Sequence, residues 1–133
     1  MKLTKQQRQT LRGMFGGLCA YCGTPLSDRW HADHVERVER KMARVDGRWT
    51  CTQEVHRPER DNIDNMMPAC PPCNIDKHDL TLEDWRRKLQ DACNVLARNQ
   101  STYRHAIRFG LVKETGAQIV FHFERVAQPA QAV

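Results

Sequence analysis

Two Cys-x-x-Cys pairs constrain this chain more than any other feature of its sequence. The first pair is Cys19 and Cys22, and the second, Cys70 and Cys73, follows after 47 residues. Four thiolates in two such pairs match the ligand set of a closed tetrahedral zinc site. Two disulfides are the alternative, which an oxidising compartment would favour. The sequence favours structural zinc, because it has no pattern typical of a thioredoxin-like redox domain.

Length and composition indicate one small globular domain. The chain has 133 residues, enough for a modest core that a structural metal would reinforce. No apolar run approaches the roughly 18 residues of a membrane span. The first ten residues are polar and basic with no apolar segment typical of a secretion signal, which predicts a cytoplasmic location. Cys51 and Cys93 lie outside the pairs and are predicted to be small buried or half-buried thiols.

The net charge of +5 is unevenly distributed along the chain. Residues 1–18 hold four basic residues and no acids, residues 19–80 have a net charge of −2, and residues 81–133 have a net charge of +3. A slightly acidic centre suits cation binding, and basic flanks suit contact with phosphates. Ordinary solvated faces have the same appearance. The candidate phosphate contacts are Lys5, Arg8 and Arg12 on the first predicted helix, and Arg86 and Arg87 on a later one.

The N-terminal half reads as short helices and strands around the cysteine pairs. Thr4 and Gln7 form a capping-box signature, and Asp46-Gly47 is a strong hairpin dipeptide. The predicted elements are a helix over 5–14, a strand over 30–38, a hairpin over 44–52, a surface loop over 56–65 and a short helix over 74–78.

The C-terminal half is predicted to be helical and then extended. Apolar residues at helical spacing favour one helix from Thr81 to about Arg98, and Ser101 begins another that ends before Gly110. The stripe consists of Leu82, Trp85, Leu89, Ala92, Cys93 and Leu96. A terminal hairpin over 111–114 and 118–125 would place Ile119, Phe121 and Phe123 on one face. Trp85 and the Phe121–Phe123 positions are predicted to belong to the core, with stacking on bases as the alternative. Residues 128–133 are predicted to be frayed.

Asp33 and His34 lie between the cysteine pairs and supply complementary chemistry. A carboxylate binds hard cations, and a neutral histidine can take a proton from water, which together suit hydrolysis of a phosphodiester. Neighbouring residues on an ideal strand point to opposite faces. We therefore expect either a twisted or bulged strand at this point, or a metal at the strand edge.

The order of these residues resembles the HNH (ββα-metal, His-Me finger) endonucleases, and small phage-encoded members in particular. The matching positions are Asp33-His34, then Asp64-Asn65, then Cys70-x-x-Cys73-Asn74-x-x-Lys77. The proline often found shortly after the motif histidine is absent. The resemblance implies a ββα-metal core, structural zinc on the four cysteines, and a single catalytic Mg²⁺ or Mn²⁺.

The same resemblance implies roles for individual residues. His34 would be the general base, Asp33 and Asn74 would bind the catalytic cation, and Asn65 would brace the loop that carries the base. His78 is either a further metal ligand or a solvated or DNA-facing histidine. His31 shares the strand face of Asp33 and has either a supporting or phosphate-contacting role or a purely structural one. Lys77, the last motif residue, is assigned to nucleic-acid binding.

Together these features predict a single α+β domain over residues 1–133. Its zinc and ββα-metal core would span 19–79, with a helical and β-hairpin extension over 81–126. The expected function is metal-dependent cleavage or nicking of DNA in a bacterium or phage-infected host, with no membrane partner and as a monomer or homodimer. One alternative is a non-catalytic zinc module that binds nucleic acid. Another is an RNA-cleaving nuclease of colicin type, which the absence of a delivery domain disfavours.

Overall fold

The computed structural model describes residues 1–127, and the chain divides into two compact units. The first comprises residues 1–81 together with 121–127, and the second comprises residues 82–120. The predicted fraying of residues 128–133 lies outside the described part. No helix within residues 1–127 has the length and apolar character needed to cross a membrane.

The first helix, α1 (Lys5–Arg12), begins as its sequence predicts. The Gln7 amide donates to the Thr4 hydroxyl at 3.1 Å, and the Gln7 side chain accepts from the Thr4 amide at 2.9 Å. This reciprocal capping satisfies two amides that the first turn would otherwise leave unpaired. The helix ends two residues before the predicted Met14, with Gly13 as its C-cap. Leu11 anchors it in the core.

Two short strands and a helix carry the motif residues. Strand β1 (His31–His34) pairs antiparallel with β4 (Met66–Ala69), and the helix α2 (Pro71–Lys77) follows and contacts β1. The pairing runs from His31 opposite Ala69 to His34 opposite Met66 with no register shift. Of the alternatives considered for Asp33 and His34, the bulged strand is therefore excluded. The helix begins three residues before the predicted Asn74, because a proline is readily accommodated in the first turn.

A separate hairpin lies between these strands in the sequence. Strands β2 (Arg40–Val45) and β3 (Arg48–Val55) form a two-stranded sheet of their own, with one register shift near Arg40. Asp46 and Gly47 both have positive φ, 49° and 75°, as the predicted two-residue turn requires. Two 3-10 turns, Pro58–Arg60 and Ile63–Asn65, lead from the hairpin to β4.

The core of the first unit collects apolar side chains around the first cysteine pair. The Tyr21 ring meets Phe121 edge-on at 5.7 Å and Phe123 at 6.2 Å, both within the range of favourable aromatic pairs. This confirms the prediction that Phe121 is a core residue. The buried apolar residues of the unit are Leu11, Cys19, Ala20, Tyr21, Leu26, Trp30, Met66, Ala69 and Phe121.

The predicted C-terminal β-hairpin is wrong. No strand follows Ala69 in the part of the chain that the structure describes, and the helix α6 (His122–Ala127) stands where the second strand was expected. The amides of His122 and Phe123 donate to the carbonyls of Tyr21 and Ala20, at 2.9 and 2.8 Å. The Glu124 carboxylate caps the Phe121 amide at 2.9 Å. These partners replace the cross-strand bonds that a hairpin would supply.

The second unit is helical, with three short helices in place of the two predicted. They are α3 (Leu82–Gln90), α4 (Ala92–Asn99) and α5 (Ser101–Arg108). The break falls at Asp91, whose φ of −89° and ψ of 0° lie at the edge of the right-handed helical region. Beyond α5, Gly110 has the positive φ of 71° predicted for a residue that ends a helix.

Several predictions of burial are also wrong. Trp85 is buried as expected, but Ala92, Cys93 and Leu96 of the same predicted stripe are exposed, since the break at Asp91 interrupts the stripe. Cys51 is likewise exposed, because it lies on the two-stranded sheet, whose residues carry no covering layer. Neither thiol outside the pairs is the buried or half-buried residue that the sequence predicted.

Candidate metal centre and catalytic cleft

The four cysteines of the two pairs form one cluster. Their Sγ atoms all lie within 4.8 Å of one another, and those of Cys22 and Cys70 are 3.7 Å apart. Sulfur atoms on a tetrahedral zinc with bonds of 2.3 Å would be separated by about 3.8 Å. The cluster therefore fits a four-coordinate metal such as zinc, and the predicted convergence of the two pairs is confirmed.

Local backbone structure shapes this cluster. The amides of Tyr21 and Cys70 both point at the Cys19 sulfur, with N–S distances of 3.4 Å. Gly23 takes a φ of 77° and donates its amide to the Cys19 carbonyl, which turns the chain after the first pair. Amides directed at sulfur favour the thiolate over the thiol. Both halves of the cluster are thus prepared for metal ligation.

The thiols of the cluster influence one another's ionisation. A hydrogen bond from the Cys73 thiol lowers the pKa of Cys19 to about 4. The same contact, together with burial, raises the pKa of Cys73, and burial raises that of Cys70. The Cys73 thiol thus favours the thiolate form of Cys19 by donating a hydrogen bond to its sulfur. A divalent cation is the group that would neutralise several thiolates together.

Asp33 lies in a buried network next to the cluster. One of its oxygens, Oδ2, accepts a hydrogen bond from the Tyr21 hydroxyl at 2.5 Å and lies 3.1 Å from the Lys77 ammonium. Asp33 is only 5% exposed and Lys77 is 0% exposed. Burial raises the pKa of Asp33, and both partners oppose that effect. Burial and Asp33 also raise the pKa of Tyr21, which keeps its hydroxyl protonated as a donor.

Lys77 therefore has a place that its sequence position did not predict. Besides the contact with Asp33, its ammonium donates to the His34 carbonyl at 2.9 Å. Through these contacts with Asp33 and His34, Lys77 holds the end of α2 against β1. A side chain with no exposed surface does not reach phosphates, so Lys77 is not available for the predicted contact with nucleic acid.

His34 is held through one nitrogen of its ring. Its Nε2 lies 2.9 Å from Oδ1 of Asp61, a residue between the two 3-10 turns. The terminal amine of Met1, 2.5 Å from the other oxygen, and His34 itself both lower the pKa of Asp61, so the carboxylate stays charged. An ionised Asp61 stabilises a proton on Nε2. The other nitrogen, Nδ1, has no hydrogen-bond partner among residues 1–127.

Asn65 ties down the segment that follows His34. Its side chain accepts from the Glu36 amide at 3.0 Å and donates to the carbonyls of Glu36 and Arg60, both at 2.8 Å. Its own carbonyl accepts from the Val35 amide at 2.9 Å. Three of these four bonds fix the backbone immediately after the histidine, and the fourth joins it to Arg60.

A cleft of about 340 Å³ opens beside these residues. Asn74 lies on its wall, and the Asn74 amide nitrogen is 2.8 Å from Nδ1 of His31. His78 follows the last residue of α2 with a positive φ of 48°, so the chain leaves the helix there. Its side chain is 76% exposed and pairs with Asp79 at 3.2 Å. The cleft is lined by Asp33, His34, Val38, Asn74, Ile75, His78 and Asp79.

Most of the predicted phosphate-binding cations already have partners within their own unit. Arg8 lies over the Trp30 ring at 4.3 Å, and Arg12 donates to the Leu26 carbonyl at 3.0 Å. In the second unit, Arg86 binds Glu83 and the Ile119 carbonyl, and Arg87 binds Asp84. Lys5 is exposed on α1. Apart from Lys5, these cations are therefore engaged in intramolecular contacts.

Sequence reasoning missed two residues of this region. Tyr21, between the first two cysteines, is a core aromatic whose hydroxyl reaches Asp33. Asp61 approaches His34 across 27 residues of sequence, and no motif marks it. A tyrosine between two zinc-ligand cysteines is a weak sequence signal of burial. The sequence around Asp61 has no signal that would predict its contact with His34.

Comparison with known proteins finds a relative that covers part of the chain. Over 95 residues the chain is 29% identical to a Bacillus subtilis (strain 168) protein named "SPbeta prophage-derived putative HNH endonuclease YoqL". The similar segment covers 62% of this chain and 33% of that protein, so the chain spans about a third of the length of its relative. The chain matches no family model. It matches no solved structure either.

Proposed function

We propose that this protein is a metal-dependent endonuclease of the HNH type that hydrolyses phosphodiester bonds in DNA. One observation carries the proposal: His34, Asp33 and Asn74 line a single cleft, and His34 is oriented there by Asp61. The similarity to a protein named as an HNH endonuclease supports the same reaction class. The four-cysteine cluster supports a small zinc-stabilised scaffold beneath it.

His34 would act as the general base through Nδ1. With Nε2 held by Asp61, Nδ1 accepts a proton from a water molecule as the water oxygen attacks phosphorus. The bond from phosphorus to the 3′ oxygen breaks, leaving a 5′-phosphate and, once the leaving oxygen is protonated by solvent, a 3′-hydroxyl. Asp61 stabilises the charged imidazolium that forms, and Asn65 keeps the backbone after His34 in place.

Asp33 and Asn74 supply the oxygen ligands that Mg²⁺ or Mn²⁺ prefers, with His78 as a third candidate ligand. When bound, such a cation would stabilise negative charge on the phosphate and on the leaving 3′ oxygen. Asp33 Oδ2 is already engaged by Tyr21 and Lys77, which leaves Oδ1 for a cation. Lys77 at the same time offsets the cost of burying the carboxylate.

Zinc on the four cysteines would stabilise the fold and take no part in the reaction. All four sulfur atoms are close enough to bind one ion, so no position would remain open for a substrate. The two metals therefore differ in exchange: zinc would be retained through purification, whereas the cation in the cleft would be partly hydrated and exchangeable.

Incubation with supercoiled plasmid tests this function. Purified protein should convert the plasmid to nicked or linear forms with Mg²⁺ or Mn²⁺. A brief chelator treatment that leaves zinc in place by elemental analysis should stop the reaction, and added cation should restore it. Cleavage that persists after verified removal of the exchangeable ion would contradict the one-cation mechanism. Plasmid binding without cleavage at any cation concentration would favour the non-catalytic alternative.

The same assay tests His78. If His78 is a ligand, His78→Ala should raise the Mg²⁺ concentration needed for half-maximal rate, with a maximal rate close to that of the wild type. His56→Ala is the matched control, since His56 is exposed and outside the cleft. An unchanged requirement in His78→Ala would place His78 outside the set of ligands.

A further inference from the structure

The hairpin formed by β2 and β3 has no role in the chemistry described above. It is inserted between β1, which carries Asp33 and His34, and the segment that returns to β4. Its two strands pair only with each other, and none of its residues is fully buried. A lone two-stranded ribbon is marginally stable in water. Because this ribbon is exposed on both faces, we expect a binding partner to cover one of them.

The charge of this ribbon is unusual for the first unit. Lys41 pairs with Glu54 at 3.5 Å, and basic residues beside the ribbon also have acidic partners, as in the pair of Arg60 with Glu36. In contrast, no acidic side chain within residues 1–127 forms an ion pair with the three arginines of the ribbon. These are Arg40, Arg44 and Arg48.

The strand register combines these charges with an exposed aromatic ring. Arg44 lies directly opposite Trp49, so their side chains share one face of the ribbon. Trp49 is 68% exposed, whereas Trp30 and Trp85 are buried at 7% and 2%. Arg48 lies opposite Val45 on the other face. An arginine beside an exposed tryptophan can contact phosphates and bases together.

The dimensions and position of the ribbon fit double-stranded DNA. Six residues of β2 extend about 20 Å, and a major groove about 12 Å wide and 8.5 Å deep admits a two-stranded ribbon. Val38, two residues before β2, lies on the wall of the catalytic cleft. The base of the ribbon thus adjoins the cleft where a phosphodiester would be cut.

We propose that the β2–β3 ribbon is a DNA-binding arm that enters the major groove next to the scissile phosphodiester, with Arg44 and Arg48 on phosphates and Trp49 toward the bases. This rests on the proposed function for its substrate class. The arm would hold the duplex, while His34 and the residues of the cleft perform the reaction.

Salt-dependent DNA binding tests the arm separately from catalysis. The probe is a short fluorescein-labelled duplex, titrated without Mg²⁺ at several salt concentrations. Arg44→Ala/Arg48→Ala should bind more weakly, and its slope of log affinity against log salt should be shallower by about 1.8, since each phosphate contact contributes about 0.9. Arg44→Lys/Arg48→Lys should keep most of the slope, because it keeps the charge.

Arg29→Ala/Lys113→Ala is the matched control, because it removes two exposed charges outside the ribbon. An equal loss of slope in this control would overturn the proposal, since net charge alone would then explain the effect. Equal affinity of the wild type and Arg44→Ala/Arg48→Ala for the duplex would overturn it as well. A change of oligomeric state in Trp49→Ala with unchanged DNA affinity would assign the face to a second copy of the chain instead.

Trp49 provides a second readout, because it is the exposed one of the three tryptophans. Addition of duplex should quench fluorescence in the wild type and not in Trp49→Phe. Quenching of equal size in both would exclude Trp49 from the contact.

Hydrolysis of bis(p-nitrophenyl) phosphate, which has no groove, separates the DNA-binding arm from the nuclease function. The ribbon variants should hydrolyse it at the wild-type rate; a wild type that binds DNA through the ribbon but cleaves neither substrate would refute the nuclease function alone.

Discussion

The buried pair of Lys77 and Asp33 joins stability to the candidate site at the scale of single residues. A fully buried ammonium has left water, and its contacts with Asp33 Oδ2 and the His34 carbonyl are what compensate for that loss. The same pair fixes the end of α2 against β1. Because Asp33 is also a proposed cation ligand, Lys77 both supports the fold and stabilises the carboxylate that would bind the cation.

Removing the lysine charge should therefore destabilise the protein. Lys77→Met leaves Asp33 buried without its cation, and we expect the free energy of unfolding to fall by about 3–5 kcal/mol. Urea denaturation measures it, with Lys113→Met, an exposed lysine, as control. Asp33→Asn/Lys77→Met should recover part of the loss. A Lys77→Met protein as stable as the wild type would contradict the structural role of the pair.

In the proposed mechanism Asp61 is a positioning residue, since it contacts His34 and does not line the cleft. Asp61→Asn removes the charge that holds Nε2, and we expect the maximal cleavage rate to fall about 10–100-fold, the usual cost of losing a histidine's supporting partner. The Mg²⁺ requirement should stay unchanged, because Asp61 does not line the cleft. A higher Mg²⁺ requirement with an unchanged maximal rate would assign Asp61 to cation binding instead.

At the scale of elements, the sequence predicted those features that depend on local chemistry. The Thr4–Gln7 cap, the Asp46-Gly47 turn and the positive φ of Gly110 each follow from residues adjacent in the chain. The convergence of the two cysteine pairs could be predicted over a long distance, because four thiols at this spacing have few other uses.

Elements that depend on distant partners could not be predicted in this way. Alternation of Ile119, Phe121 and Phe123 favours a strand. The two amides after Phe121 instead donate to the carbonyls of Tyr21 and Ala20, and a helix follows. Asp61 reaches His34 only through the two 3-10 turns that precede β4. Local patterns carry no information on either contact.

The cysteine knuckles should act as one structural element. Cys22→Ser or Cys70→Ser should cause loss of zinc and unfolding, since the binding free energy of a structural zinc, on the order of 10 kcal/mol, is folding free energy. Cys51→Ser and Cys93→Ser are matched controls, because both thiols are exposed and outside the cluster. Elemental analysis and thermal melting measure the effect. Absence of zinc from the wild type, or an unchanged melt in Cys22→Ser, would contradict it.

At the scale of the whole molecule, the cysteine cluster, the cleft and the ribbon are formed by different residues. In the first unit, a cysteine cluster that could hold a metal ion adjoins a cleft lined by the proposed base and cation ligands, and an inserted ribbon carries unpaired arginines. The helical unit has its own internal bonds, such as Gln90 to the Ala117 carbonyl at 2.8 Å. If the proposed function is right, catalysis, metal-dependent folding and DNA binding should each respond to different substitutions.

The single-turnover rate of duplex cleavage by His34→Ala tests the central claim most directly. We expect a loss of about 10²–10⁴-fold relative to the wild type, because no other group replaces a general base at that position. Zinc content and DNA affinity should be unchanged, and His56→Ala should cleave normally. A His34→Ala protein that cleaves at nearly the wild-type rate would show that His34 is not the base.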